Sequence, residues 1–377
     1  MNKLTQKHLK AKFFKLIRLV DKHGYTAKIA ARFRKPVHQK PEELLDSAEV
    51  LTFNWPANVP KPIIGLVKDD VKFPFWPVFE RFLLHNSIPY EFFDIHKSDF
   101  QTQAKKFDLI LWHTSSSFAD QLEAKAKIEF MEKHLGKMCF PSSEAIWFYE
   151  EKARQYWLFE ENNIPAIPTF VSFSKSDVLD YLDKCQYPIV SKEATNSGSE
   201  GVLILENKKK AIRFSHDVFG PGHKVLSSTY IRQKDYVIFQ NYVPNEGFDL
   251  RVAIVGGNYF GYYRDVPPGD FRASGSGLIV KKALPEEALY LAKEIKAKLP
   301  PTYYISIDFL KSKIDHKYYV IEISIFNRIR STEQLIVDGV PGKYVFENGG
   351  FKFYPGRIWI HDLILIELLN DWVKKRQ

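Results

Sequence analysis

Two acids stand out between Tyr303 and Ile325. Asp308 lies between Ile307 and Phe309, and Glu322 between Ile321 and Ile323. Each sits in a run that alternates apolar and polar residues, Tyr303 to Leu310 and Tyr318 to Ile325, and a turn-rich stretch from Lys311 to Lys317 joins them. That pattern predicts a β-hairpin. A carboxylate between two large apolar neighbours on a strand points to the opposite face from them, so both acids are expected on one face of adjacent strands. Two carboxylates that close raise each other's pKa unless a cation sits with them. Hard oxygen donors favour Mg²⁺, which takes one or two carboxylates and fills its shell with water and nucleotide phosphate. On this stretch alone, two solvated strand acids remain the alternative.

Cationic and glycine-rich groups precede the pair. The loop Thr195-Asn196-Ser197-Gly198-Ser199-Glu200-Gly201 lies between two apolar runs. Small residues let backbone N–H groups turn towards one anion, although such a loop is also an ordinary hairpin turn. It is not a P-loop, which needs GxxxxGK[ST] and a following helix. Lys192 stands just before the loop, placed to reach the same phosphates, and Lys152 is a second candidate on an earlier helix. A helix lysine is ordinarily solvated, so Lys152 carries little weight alone. Three arginines follow, Arg251 in FDLRV, Arg264 in YYRDV and Arg272 in DFRASGSG. Their planar forks suit phosphate or carboxylate. Salt bridges to Asp249, Asp265 and Asp270 are the plainer reading, and the two are compatible.

These residues need elements to hold them. The runs 62–68, 90–95 and 107–114 read as strands, with helices over 76–88 and 119–135. Strands alternating with helices predict a small parallel α/β domain over residues 61–140, without the GxGxxG of a dinucleotide site. A single helix is expected over 144–162, stopped at Asn162-Asn163-Ile164-Pro165. Strand 166–173, a helix over 174–184 and the strand–loop–strand 187–205 come next. Residues 237–266 read as antiparallel strands, 285–298 as a helix, and 358–375 as an amphipathic helix. The segments 214–236 and 331–357 read as substrate loops. The expected division is 1–60 as a basic helix and linker, then 61–140, 141–243 and 244–377.

Taken in order, these motifs resemble the ATP-grasp superfamily, and its carboxylate–amine ligases in particular, over roughly residues 61–330. The series runs from Lys152 and the NNIP break to PIVSK with its glycine loop. It continues through Gln240-Asn241-Tyr242-Val243 and DLRV to a distal arginine segment, and closes on Asp308 and Glu322. The resemblance implies a mixed α/β (α+β) class, with a small parallel α/β domain and two α+β subdomains enclosing the nucleotide. It implies ATP and Mg²⁺ as cofactors. Lys152 and Lys192 would touch phosphates, and the loop Ser197, Gly198, Ser199 and Gly201 would close over them. Backbone groups of Gln240 to Val243 would hold the adenine edge. Asp308 and Glu322 would bind Mg²⁺, and Arg272 with Arg251 and Arg264 would stabilise an acyl-phosphate. Two positions depart from the family. Asn241 stands where glutamate is common, and Glu322-Ile323-Ser324 replaces Glu-x-Asn, which leaves Ser324 or Asn327 as the third metal donor.

Composition narrows the rest. Residues 1–40 hold twelve Lys/Arg and one acid, a net of +11; the whole chain is +9, so the remainder carries −2. The apolar residues Leu4, Leu9, Phe13, Phe14, Leu16, Ile17, Leu19 and Val20 among those lysines predict a basic, roughly amphipathic helix. It reads either as an anchor on an anionic membrane surface or as a helix packed on the body. No aromatic interleaving or known motif supports nucleic acid. Cys139 and Cys185 lack CxxC spacing, no secretory leader or membrane span is expected, and a cytoplasmic setting follows. The functional expectation is an ATP-dependent ligase joining a small carboxylate to an amine, with a cell-surface polysaccharide or cell-wall precursor as a conceivable target. The rival is a membrane-associated nucleotide binder that has lost turnover. A phosphotransferase is disfavoured because no segment is large enough for a phosphohistidine domain.

Overall fold

The computed structural model describes residues 48–68, 74–195, 201–224, 232–266, 278–327 and 333–377. Two compact units emerge. One is Pro168–Tyr242; the other joins residues 48–167 to Val243–Gln377. The smaller unit thus starts at Pro168, later than the division at 141 drawn from sequence. The basic segment 1–40, Ser197, Gly198, Ser199 and Arg272 lie outside the described residues.

The larger unit opens with four parallel strands, β1 (Ile64–Val67), β2 (Tyr90–Phe93), β3 (Leu109–Leu111) and β4 (Met138–Phe140), in the order β2-β1-β3-β4. Every residue of β1 and β3 is buried, as expected for a parallel sheet covered on both faces. Helix Phe118–Leu135 starts where Ser117 accepts from the Asp120 N–H and stops at left-handed Gly136.

The smaller unit holds β5 (Thr169–Ser172), β6 (Ile189–Ser191), β7 (Leu203–Leu205), the short pair β8 (His223–Lys224) and β9 (Arg232–Gln233), and β10 (Val237–Asn241). Its main sheet is antiparallel, ordered β5-β10-β6-β7. Helices Lys175–Lys184 and Lys208–Val218 cover it, burying Val178, Leu182, Ala211 and Phe214 with Ile189 and Phe239. The second of these helices takes up part of the expected loop 214–236.

The larger unit ends in an eight-stranded antiparallel sheet made of β11 (Asn245–Val255), β12 (Asn258–Asp265), β13 (Ile279–Val280), β14 (Tyr304–Ser312), β15 (Tyr318–Ser324), β16 (Leu335–Val337), β17 (Val340–Glu347) and β18 (Gly350–Pro355). Its main path is β15-β14-β11-β12-β17-β16. Residues 333–357 are therefore not part of the loop expected over 331–357. The described part, from Glu333, is mostly strand, and Asn348 and Gly349 both take positive φ, 51° and 82°, in the tight turn between β17 and β18. Asn-Gly between alternating strands is the signal for that turn.

Helix Ile360–Lys374 also departs from expectation. Its sequence reads as amphipathic, yet Ile360, His361, Asp362, Leu363, Ile364 and Leu365 are all buried in succession. Its buried Asp362 is matched inside the core. Asp362 accepts from Arg81 at 2.9 and 3.1 Å and from the Leu51 N–H at 3.0 Å. The stretch after residue 48 is irregular but fastened, with Val59 packed on Trp372. No helix among the described residues is long and apolar enough to cross a membrane.

Breaking a buried ion pair leaves an uncompensated charge. Asp362→Ala should therefore cost about 3 kcal/mol of unfolding free energy, read by urea denaturation, whereas Glu129→Gln at the exposed Lys133 pair should leave the midpoint unchanged. An Asp362→Ala midpoint equal to the native one would remove that pair as a fastening between helices Trp76–His85 and Ile360–Lys374.

Candidate functional site

The hairpin expected around Asp308 and Glu322 is present. Asp308 on β14 and Glu322 on β15 are direct cross-strand partners. Asp308 is buried in the sheet and Glu322 is half-buried. The register then lines up charges of opposite sign. Arg251 on β11 lies opposite Asp308, and Arg264 on β12 lies opposite Asp249.

The contacts are close. Arg251 donates from Nε to Asp308 Oδ1 at 2.7 Å and from Nη2 to Oδ2 at 2.9 Å. Arg264 donates from Nη2 to Asp308 Oδ2 at 2.7 Å and from Nε to Asp249 Oδ1 at 2.5 Å. Arg251 Nη1 also lies 3.8 Å from Glu333 Oε1, a carboxylate with no exposure. Burial alone would raise the Asp308 pKa, but the two guanidiniums hold it well below the usual carboxylate range. Asp249 goes the other way. Burial pushes it up to about 6, with Arg264 opposing and the Asp308 charge adding to the rise. The plainer reading of the arginines thus holds for Arg264 and Asp249, and Asp308 is a partner that sequence proximity did not indicate.

The region that reads as one helix over 144–162 is two, Ser143–Phe148 and Lys152–Glu161. Glu150 breaks it with a left-handed φ of 52°, a conformation that costs energy in a non-glycine residue. The break is pinned to β15. Gln155 Nε2 donates to the Phe148 and Ile323 carbonyls at 3.0 Å each, and Gln155 Oε1 accepts the Ile323 N–H at 3.1 Å. Lys152 consequently begins the second helix beside the acid pair, 3.8 Å from Glu322. Glu150 sits within the same charged group. Its Oε2 is buried without a hydrogen-bond partner. Burial, then the Glu322 charge, raise its pKa to about 7, against the pull of Lys152, Arg251 and Lys125. Sequence reasoning passes over Glu150 and Glu333. Glu150 looks like one more polar residue of a helix, and nothing local announces the break.

The third-donor candidates each have a local contact. The Ser324 hydroxyl turns to the backbone of Phe326 at 3.4 Å, and Asn327 Nδ2 lies 3.0 Å from His361 Nε2 in the core. Among the described residues, no three or more His, Cys, Asp or Glu side chains are arranged to hold a metal. Asp308 and Glu322 are the two carboxylates that the hairpin sets side by side, and hard oxygen donors of that kind suit Mg²⁺ with water and phosphate completing its shell.

In the smaller unit, Lys192 directly follows β6, nearly buried, and its N–H donates to the Ile238 carbonyl at 3.0 Å. Gly201 has φ of 86°, and a Cβ there would lie 2.3 Å from the Glu193 carboxyl carbon. The loop's last position therefore needs glycine. Gln240 donates to Thr169 Oγ1 at 3.0 Å, and the Asn241 N–H to the Pro168 carbonyl at 2.9 Å. Asn241 and Tyr242 are exposed, and Val243 begins the return to the larger unit.

No family model matches the chain. Over 180 residues it is 26% identical to the α-aminoadipate–LysW ligase LysX of Saccharolobus solfataricus; the match takes in 46% of this chain and 61% of that protein, less than two thirds of its length. Solved structures are similar in fold, two of them ligases or synthetases by their names. The D-cycloserine synthetase DcsG has a TM-score of 0.56 at 16% identity, covering 82% of this chain and 99% of that one. D-Alanine–D-alanine ligase from Bacillus anthracis, complexed with ATP, has a TM-score of 0.56 at 15% identity, covering 83% of this chain and 99% of that one.

The raised pKa of Glu150 has a stability consequence with a definite sign. Between the ordinary 4.5 and about 7 the native chain holds a proton that the unfolded chain has lost, so this group's contribution falls as pH rises through that window. Without nucleotide or divalent cation, Glu150→Gln should therefore gain in melting temperature over the native protein as pH goes from 5 to 8. A difference that stays constant with pH would refute this account of Glu150.

Proposed function

Since the chain has the ATP-grasp fold, we propose that it is an ATP-dependent ligase joining a small carboxylate substrate to an amine through an acyl-phosphate. The observation that carries this reading is the Asp308–Glu322 cross-strand pair, held among Arg251, Arg264 and Lys152 on a rigid sheet. LysX is by its name a ligase of α-aminoadipate and LysW, and the D-alanine–D-alanine ligase was solved with ATP; both support the choice of reaction.

Two displacements make up the reaction. A substrate carboxylate oxygen attacks the γ-phosphorus and ADP leaves. The amine nitrogen then attacks the acyl carbon, phosphate leaves with the carboxyl oxygen, and the amide nitrogen gives up its proton. Glu322 and Asp308 would hold Mg²⁺, which supplies charge neutralisation at the phosphates. Lys152 and Lys192 are assigned phosphate contacts, with Ser197, Gly198, Ser199 and Gly201 as the closing loop. Gln240 to Val243 are assigned the adenine edge. Arg251, Arg264 and Arg272 are assigned the charge that develops as the acyl-phosphate forms. A cell-surface polysaccharide or cell-wall precursor is the target class we favour. It fits a ligase whose residues 1–40 carry a net charge of +11, since each Lys or Arg near an anionic surface contributes about 1 kcal/mol. Deleting residues 1–40 should abolish binding to anionic vesicles at low salt, and high salt should mimic the deletion. Equal sedimentation of both proteins with vesicles would exclude that role.

One observation favours a second reading, an ATP binder without turnover. Both oxygens of Asp308 are already engaged by guanidiniums, and Ser324 replaces the usual asparagine. ADP release separates the two. With ATP and Mg²⁺ alone it should stay near background, and it should rise when a matching acid and amine are both present. Asp308→Asn and Glu322→Gln should each lower the stimulated rate by about two orders of magnitude. Lys192→Ala should weaken ATP binding as well, by calorimetry. Tight ATP binding with no stimulation by any pair in a broad panel of acids and amines would favour the inert binder.

A further inference from the structure

The larger unit carries a row of five buried or nearly buried charges that alternate in sign, Asp249, Arg264, Asp308, Arg251 and Glu333. Its centre is the carboxylate assigned above to the metal. Asp308 accepts three N–H bonds from two guanidiniums, so a divalent cation arriving there meets two positive charges already in place. At least one guanidinium has to withdraw. A withdrawn guanidinium that stays buried needs another anion, because an unpaired buried charge is heavily penalised.

The two arginines are not equivalent in this respect. Arg264 already holds Asp249 through Nε while its Nη2 reaches Asp308. Arg251 spends Nε and Nη2 on Asp308 and presents Nη1 to Glu333 at 3.8 Å. That separation is an ion pair but longer than a hydrogen bond, so a shift of about 1 Å would close it. Glu333 has no exposure, and a carboxylate is rarely placed so deep unless it is paired.

We propose that Glu333 is a positioning residue for metal entry: it takes up Arg251 as Asp308 turns to a divalent cation. The inference rests on the reading of Asp308 and Glu322 as the metal pair. It explains how one carboxylate serves a guanidinium fork in one state and a cation in another. It also gives Arg251 two resting places, with its charge kept in the site in both.

The experiment is a Mn²⁺ titration of the full-length protein without nucleotide, read by the electron paramagnetic resonance signal of free Mn²⁺. Glu333→Gln should weaken Mn²⁺ binding ~10-fold, because Arg251 then has no alternative to Asp308. Glu333→Asp should keep most of the affinity. Adding Arg251→Gln to Glu333→Gln removes the competitor and should return the affinity to within ~3-fold of native. Arg251→Gln alone completes the cycle: with Arg251 gone, Glu333→Gln should cost no further affinity, whereas a merely structural role for Glu333 would cost the same in both backgrounds, and unfolding midpoints of all variants are measured alongside. Unchanged affinity in Glu333→Gln, or no recovery in the double variant, overturns the inference while Glu322→Gln still loses Mn²⁺. A native protein that binds no Mn²⁺, or a Glu322→Gln variant that binds it like native, overturns the metal reading itself.

Discussion

A carboxylate on an inner strand of an eight-stranded sheet has to be neutralised where it stands, because its neighbours on both sides are backbone ladders and not water. Asp308 is in that position on β14, between β11 and β15. The answer built into the chain is positional. Arg251 is its register partner on β11, and Arg264 reaches it from β12, one strand farther. Neither arginine could do so if the strands slipped by one residue, since a slip turns every side chain to the other face. The other face of the same strands buries Leu250, Val252, Ile305, Ile307 and Phe309 in the main core. Apolar packing thus sets the register, and the register sets the charge row.

The same logic places the groups around Glu322. Gln155 spends both ends of its amide on Ile323 and Phe148, so the junction between two helices is tied to one strand residue. The left-handed backbone at Glu150 is held by that tie and by the Lys125–Glu151 pair at 2.7 Å. Strain of this kind persists where the surroundings over-determine it. Its effect is to set one buried carboxylate, Glu150, and one ammonium, Lys152, beside Glu322, whose own strand partner is Asp308. Charges set this deep each need a partner, and here they partner one another.

Much of this arrangement is legible in the chain itself. The alternation around Asp308 and Glu322 predicts both the hairpin and the shared face, because a period of two is a local property. The NNIP stop is legible as turn chemistry, and Asn163 takes a left-handed φ of 50° there. Other features mislead for identifiable reasons. Residues 144–162 look like one helix because helix propensity does not register a buried tie such as Gln155. Residues 331–357 look like a loop because proline and glycine outweigh the alternation on either side of Asn348-Gly349. Helix Ile360–Lys374 looks amphipathic because His361 and Asp362 read as solvent-facing, although Asn327 and Arg81 meet them inside.

The sequence by itself determined the order of the motifs, the elements that carry them and the face on which the acid pair lies. Each depends on residues a few positions apart, where strand pleat, turn preference and capping act directly. The tertiary structure alone decided which charges meet. Asp308 and Arg264 are 44 positions apart, Arg251 and Glu333 are 82, and Gln155 and Ile323 are 168. No local rule pairs such residues; strand order and register bring them together, and those follow from how the whole apolar core packs. The same packing set the Asn327 amide nitrogen against His361 and brought Glu150 beside Glu322. A donor's role depends on what else competes for it within hydrogen-bond reach, and only the folded chain determines that.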